Sequence, residues 1–463
     1  MNAGIVHVGV GGFHRAHQAM VLDDLRVLGL AEGWGICGVG VLPGDRRMRD
    51  VLRAQDFGYT LVLKHPDGRQ TARGIASIVD YLFAPDDPEA VIEKMASSEV
   101  RIVSLTITEG GYHVDRVTGE FDASDPRIAA DLVPGAVPQT AFGLIAEALR
   151  RRRERGLIPF TVLSCDNIQG NGDVCQRMLT AFASRMDPEL GTWIAGSVAF
   201  PNSMVDRITP ATTDDDRAAV TARFGVDDAW PVVAEPFFQW VIEDHFPAGR
   251  PPFEAAGVQL VADVEPFELM KLRLLNASHQ GLCYFGRLSG YHYVHEAAQD
   301  PLIARLLRRY MDEEATPTLH PVPGVDLDRY KDTLLERFAN PHVRDTVARL
   351  CVDSSDRIPG WLLPVVRHQL ATGGQVRLSA AIVASWARYA EGVDERGEPI
   401  EVVDGRRDTV MAYATRQRTD PLAFLRQSDL FGDLAEDTRF TAEYRWALES
   451  LMQRGAQATL ADL

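Results

Sequence analysis

The chain has 463 residues, of which 46% are hydrophobic and 24% charged, and its formal net charge at pH 7 is -17. That is the profile of a globular protein with material for two or three domains, and the acidic balance argues against nucleic acid or an anionic membrane as partner. No apolar run reaches the ~18 residues of a membrane span and the first residues lack a charged-then-apolar signal pattern, so a cytoplasmic protein is expected.

Residues 4–10, G-I-V-H-V-G-V, read as a short apolar strand that runs straight into Gly11, Gly12 and Phe13, and residues 16–30 follow as an amphipathic helix. Strand, glycine turn and helix together place a pyrophosphate at a helix N-terminus, with Gly9, Gly11, Gly12 and Phe13 as the cofactor-binding residues. His14 stands where a third glycine is usual, and a purely structural tight turn is the competing reading. A second apolar strand over 34–42 ends at Pro43-Gly44-Asp45. An acid just past the second strand holds the adenosine ribose of NAD, which makes Asp45 the candidate. Its other reading is a helix N-cap, and Arg46 and Arg47 leave room for a 2′-phosphate.

The pattern next predicts a hairpin over 59–76, a helix over 88–96, a strand over 101–108 ending at Glu109, and a helix over 140–154. A strand over 160–166 ends at Asn167, and another over 193–200 leads toward Asp206. Alternating strands and helices imply a doubly wound, mostly parallel sheet, an α/β architecture whose ligands sit outside the carboxyl ends of the strands. Glu109, Asn167 and Asp206 all fall at such ends. From about residue 266 the strand pattern gives way to helices. The expected organisation is a Rossmann-like dinucleotide-binding domain over 1–262 and a mainly helical substrate and catalytic domain over 263–463.

Residues 268–281, E-L-M-K-L-R-L-L-N-A-S-H-Q-G, read as a largely buried helix carrying Lys271, Asn276 and His279. At ~100° per residue, His279 lies ~80° and Asn276 ~140° around the axis from Lys271, one broad face over ~12 Å of helix. The chain has only four lysines, at 64, 94, 271 and 331, the rest of its 48 basic residues being arginine. Arginine keeps its proton, whereas a desolvated lysine can act as a base. Lys271 in an apolar helix therefore suggests chemistry, against the plainer reading of a helix-end lysine snorkelling to water. The other three lysines are expected at the surface. Five cysteines with no paired spacing suggest buried free thiols, and the pairs His14/His17 and His292/His295 imply no third ligand, so no metal is expected.

The chain resembles the mannitol dehydrogenase family of polyol-specific long-chain dehydrogenases, almost end to end. The resemblance rests on G-V-G-G-F-H-R-A-H at 9–17, T-I-T-E-G-G-Y at 106–112, C-D-N at 165–167, F-P-N-S-M-V-D-R-I-T-P at 200–210 and K-L-R-L-L-N-A-S-H at 271–279. R-F-A-N-P at 337–341 and R-L-C-V-D-S-S at 349–355 add to it. It implies Lys271 as general base, Asn167 and Asn276 polarising the reacting oxygen, and His279 binding a neighbouring hydroxyl. Asp206 and Arg349 would shape the polyol site, to which Glu109 is added from its strand end. Glu268 would pass protons between base and solvent, and Asp45 would select NAD. Gly44 stands where some relatives carry a second acid. The implied activity is metal-independent, NAD-dependent interconversion of D-mannitol and D-fructose, or of D-arabinitol or D-sorbitol, by a monomer. A hexuronate reductase acting on fructuronate or tagaturonate is the alternative within the family, and a non-catalytic nucleotide sensor the alternative outside it.

Overall fold

Residues 3–8 are all buried and form β1 (Ala3–Val8), the centre of a five-stranded sheet. Its other strands are β2 (Gly35–Gly40), β5 (Ile78–Phe83), β6 (Ile102–Leu105) and β7 (Thr161–Ser164); β3 (Tyr59–Lys64) and β4 (Gln70–Ile75) intervene in the chain as an antiparallel hairpin. The order is β5-β2-β1-β6-β7 and every pair is parallel. Such a sheet must be covered on both faces, which explains continuous apolar strands in place of alternation. Val6, Val8, Val39, Val103 and Leu105 face one core, packed by the helices Pro88–Ala96, Ala141–Glu154 and Asn171–Met186. Ile5, Ile36 and Ile102 face the other, packed by Gln18–Val27 and Arg46–Ala54.

The computed structural model describes residues 2–115 and 118–463. These divide into two compact units, Met1–His65 with Arg69–Glu265, and Pro66–Gly68 with Pro266–Leu463. The first unit also holds two three-stranded sheets: β8 (Ser203–Asp206), β10 (Gln239–Glu243) and β11 (Gln259–Val261) form one, and β9 (Val232–Ala234) adds to the β3–β4 hairpin in the other. The second unit is helical, built around Ala277–Leu288, Arg377–Tyr389 and Thr438–Asp462, with Tyr284, Trp386, Phe424 and Phe431 clustered inside. Among the described residues all five cysteines are buried free thiols, and no helix is long and apolar enough to cross a membrane.

The strand expected over 193–200 is instead a helix, Pro188–Ser197, and the strand comes later, at Ser203–Asp206. Asp187 caps that helix by accepting from the Glu189 N–H, and Pro188 opens it. A short apolar run has no periodicity that separates strand from helix, and the Asp-Pro start was the deciding signal. The N-terminal helix also starts earlier than expected, at Gly12, and breaks at His17 before Gln18–Val27.

His7 lies fully buried in β1 and ties it to β6. Its Nδ1 is 2.8 Å from Ser104 Oγ and its Nε2 is 2.9 Å from Thr106 Oγ1. Thr106 Oγ1 donates to the Gly9 carbonyl (2.7 Å), so it must accept from His7, which puts the imidazole proton on Nε2. Burial pushes the His7 pKa down to about 3 and holds that of His14, stacked on it at 3.4 Å, well below the ordinary range. Both rings bind a proton near pH 6.5 only when unfolded. Their contribution to stability is therefore full above ~6.5 and declines as pH falls toward ~3, by up to ~1.4 kcal/mol per pH unit for each ring. Denaturant unfolding from neutral to about pH 4.5 should show that decline, and His7→Gln should flatten it by one histidine's share. An unchanged slope in the variant would mean that His7 is not excluded from protonation by the fold.

Candidate functional site

In the first unit the turn after β1 is shaped by what glycine permits. Gly9 has φ +92°, and a Cβ there would stand 2.1 Å from the Thr106 carbonyl oxygen, so no other residue fits. Gly11, exposed, has open space: an added Cβ would meet only the Gly9 oxygen, at 4.0 Å. Gly12 and Phe13 open the helix Gly12–Ala16, with the Phe13 ring stacked on His17 at 4.8 Å. The turn thus offers bare backbone and the N–H groups of a first helical turn to a ligand.

Asp45 follows β2. It stands at the N-cap position of Arg46–Ala54, but its side chain makes no cap bond. Oδ2 instead reaches back to accept from the N–H groups of Val41 and Leu42, both at 2.9 Å. Oδ1 accepts from no described residue, which leaves it for an outside donor such as a ribose hydroxyl. A Cβ at Gly40 would come within 2.7 Å of the Asp45 Cβ, so the acid sits where it does because Gly40 is bare. These features fit the adenosine half of a dinucleotide.

The exposed Glu109, first residue of the 3₁₀ turn Glu109–Tyr112, and the exposed Asn167 lie beyond β6 and β7, adjacent strands of the main sheet. Asp206, buried, ends β8 in a different sheet, so the expectation that all three share one sheet's carboxyl edge holds for two of them. Asn171, the first residue of the helix after β7, links the segment that follows β7 to the start of β8: its amide nitrogen donates to the carbonyls of Asp166 (3.0 Å) and Ser203 (2.8 Å).

Asp166 organises this edge, and the sequence reading passed over it beside Asn167. Its carboxylate accepts from the N–H groups of Ile107 (3.0 Å) and Thr108 (2.8 Å) and from the Tyr112 hydroxyl (2.7 Å). Burial raises its pKa to about 6 against the pull of those bonds. Thr108 is held at φ +60° and ψ 169°, a positive-φ conformation that a β-branched residue adopts only when its surroundings impose it. Asp166→Asn would turn an amide NH₂ toward these donors and should cost ~2–3 kcal/mol in denaturant unfolding. It should also speed hydrogen exchange at the Ile107 and Thr108 amides. Unchanged protection there would show that the loop holds its shape without the carboxylate.

In the second unit the helix carrying the candidate residues runs from Glu265 to Leu288, and its middle turn is not α. Glu265–Met270 is α, Lys271–Asn276 is a π-helix, and Ala277–Leu288 is α again. A π-turn holds one extra residue and so removes ~100° of accumulated rotation. Asn276 then lies ~40° from Lys271 instead of ~140°, and His279 within ~20°. The widened turn brings the three onto one edge, closer than α-helical spacing predicts. Lys271 is 7% exposed, Asn276 5% and Glu268 8%, with Glu268 one turn before the lysine. This excludes a lysine snorkelling to water.

The Asn276 Oδ1 atom is buried and has no hydrogen-bond partner among the described residues, the signature of a group awaiting one. His279 packs its ring against Phe338 at 4.6 Å. Burial first, then the nearby charges of Arg349, Arg337, Arg357 and Lys271, hold its pKa well below the ordinary range. The ring is neutral and can both give and take a hydrogen bond. Arg349 is forked onto Asp345, its Nε 2.6 Å from Oδ1 and its Nη2 on Oδ2. The other lysines are not simply at the surface: Lys331 is buried and paired with Asp312 (2.5 Å) and Asp328 (2.8 Å), and Lys64 is paired with Asp216 (2.7 Å). Among the described residues no cluster of histidine, cysteine or acids has the make-up of a metal site.

A parallel sheet with a glycine turn after its first strand and an acid after its second defines the Rossmann class of nucleotide-binding protein, here followed by a helical unit. The chain belongs to the mannitol dehydrogenase family. Residues 3–255 match the model of the mannitol dehydrogenase Rossmann domain and residues 263–452 that of the mannitol dehydrogenase C-terminal domain. Mannitol 2-dehydrogenase of Phaeosphaeria nodorum is 48% identical over 99% of this chain and 81% of its own, and that of Aspergillus fumigatus 48% over 99% and 92%. The solved Pseudomonas fluorescens mannitol 2-dehydrogenase, a ternary complex with NAD and D-mannitol, matches with a TM-score of 0.91 and 45% identity over 100% of this chain and 94% of that one.

Proposed function

We propose that this chain is an NAD-dependent mannitol 2-dehydrogenase that interconverts D-mannitol and D-fructose. The observation that carries this reading is the alignment of buried Lys271 with Asn276 and His279 on one edge of the helix that the π-turn Lys271–Asn276 widens, in a chain 48% identical to mannitol 2-dehydrogenases. D-Arabinitol and D-sorbitol are the nearest further substrates, a D-sorbitol dehydrogenase being 36% identical with a TM-score of 0.89.

Bound NAD supplies the hydride acceptor. Gly9, Gly11, Gly12 and Phe13 would receive its pyrophosphate and Asp45 its adenosine ribose. Lys271, as the neutral amine, takes the proton of the reacting hydroxyl as general base. The Asn276 amide donates to the oxygen as negative charge builds on it, the role the family resemblance also gives to Asn167. The Asn276 amide can be turned to present either end, and its orphaned position supports a ligand hydrogen bond there. His279, neutral, binds an adjacent hydroxyl without adding charge. Glu268, one turn from the lysine, passes the proton onward.

The charge on Arg349 bears on substrate class. A hexuronate needs a cation for its carboxylate, for which Arg349 or Arg357 could serve; Asp345 already neutralises Arg349, which suits it to hydrogen-bond hydroxyls, and Arg357 donates to the Leu350 carbonyl (2.9 Å). D-Fructose should therefore be reduced with a much higher kcat/KM than fructuronate, and the reverse order would overturn the polyol reading in favour of the uronate reductase.

Lys271→Ala should lower kcat for mannitol oxidation by ~10²–10⁴-fold, the usual contribution of a general base. NAD affinity should change little. Lys271→Arg should fail as well, because guanidinium cannot accept the proton. Near-native mannitol oxidation by the arginine variant would remove Lys271 from the role. A chain that turned over no polyol with NAD and no uronate with NADH would instead be a nucleotide sensor.

A further inference from the structure

The helix that follows Asp45 begins with two arginines that an NADP-binding protein would use, and the structure shows where they go. Arg46 forks onto Asp86, Nη1 to Oδ2 at 3.0 Å and Nη2 to Oδ1 at 2.7 Å. Arg49, one turn on, donates to the same carboxylate at 2.6 Å and to Asp50 at 2.8 Å. Both guanidiniums also lie over the Phe83 ring, at 4.8 and 5.1 Å from its centre. Arg47 points elsewhere, over the Trp230 ring at 4.7 Å.

The topology explains the meeting. β5 is the sheet neighbour of β2, so the turn after β5, which carries Asp86, lies beside the turn after β2, which carries Asp45. Isolated surface ion pairs contribute little, but a two-pronged fork shared with a second arginine and stacked on an aromatic ring is a fixed arrangement. A 2′-phosphate would need the same fork, and Asp86 already fills it.

We propose that Asp86 is a cofactor-selecting residue: by occupying Arg46 and Arg49 it withholds them from a 2′-phosphate, so that exclusion of NADP rests on Asp86 as well as on Asp45. The inference depends on the reading that the adenosine ribose meets Asp45. Asp45 acts by repelling the phosphate directly; Asp86 acts through the arginines and need not touch the cofactor. Asp86 is 44% exposed and among the described residues its carboxylate bonds only these two side chains, so its replacement should leave the fold intact.

The test uses two probes, 2′,5′-ADP and 5′-AMP, with their binding to the full-length protein measured by calorimetry. Asp86→Asn should tighten 2′,5′-ADP by ~10-fold, the scale of one gained charged hydrogen bond, with 5′-AMP changed by less than about 2-fold. Adding Arg46→Ala to that variant should cancel the gain, whereas Arg46→Ala alone should leave 2′,5′-ADP affinity unchanged because the fork is already filled. The gain should shrink as salt is raised. Unchanged 2′,5′-ADP affinity in Asp86→Asn, or equal tightening of both probes, would overturn the proposal. Asp45→Ala tests the underlying reading separately. It should weaken 5′-AMP, and an unaltered 5′-AMP affinity there would discard the ribose site whatever the Asp86 variants do.

Discussion

One extra residue in one helical turn governs the second unit. Over an ideal α-helix Lys271, Asn276 and His279 spread across more than a third of the circumference, too broad for a single small oxygen-bearing carbon to address. The π-turn at Lys271–Asn276 gathers them onto one edge. Such a turn has poorer packing along its axis than an α-turn, and the surroundings hold it open. The Tyr310 hydroxyl donates to the Arg273 carbonyl (3.1 Å) and the Arg273 guanidinium to the Thr318 carbonyl (2.5 Å), so the widened turn is braced at its middle residue. Tyr310 itself begins a second π-segment, Tyr310–Ala315.

The first unit solves a different problem with buried polar side chains. Backbone at the ends of parallel strands must leave the sheet abruptly, exposing N–H and C=O groups that need partners. His7 and Thr106 anchor the Gly9 carbonyl, Asp166 collects the amides of Ile107 and Thr108, and Asp45 collects those of Val41 and Leu42. Each is a side chain supplying what the strand ladder no longer can. Asp45 spends only one oxygen on this task, which is how one residue can both shape its turn and meet a ligand.

The same economy explains where the sequence misled. Asp206 on the main sheet and residues 193–200 as a strand both followed from local pattern, and each was decided by a partner distant in the chain or by a neighbouring segment. Lys331 looked like a surface lysine in a charged helix and is buried because Asp312, from another segment, neutralises it. Asp166 and Asp86 were given no role from the sequence: one stands beside the more prominent Asn167 in C-D-N and the other in a D-D-P turn, and the strand order is what puts them beside their partners.

The sequence by itself determined the class of fold, the glycine turn, the acid after the second strand and the family, because these depend on short-range patterns: buried apolar runs, glycine at positions with no room for a side chain, and unbroken strings such as K-L-R-L-L-N-A-S-H. Periodicity also placed Lys271, Asn276 and His279 on one helix. Their azimuths were beyond it, since the choice between α and π in a single turn involves a small energy difference settled by tertiary hydrogen bonds such as Tyr310 to Arg273. The pairing of Arg46 and Arg349 was likewise decided in three dimensions, because an arginine's availability depends on which carboxylate reaches it, and Asp86 lies forty residues along the chain from Arg46.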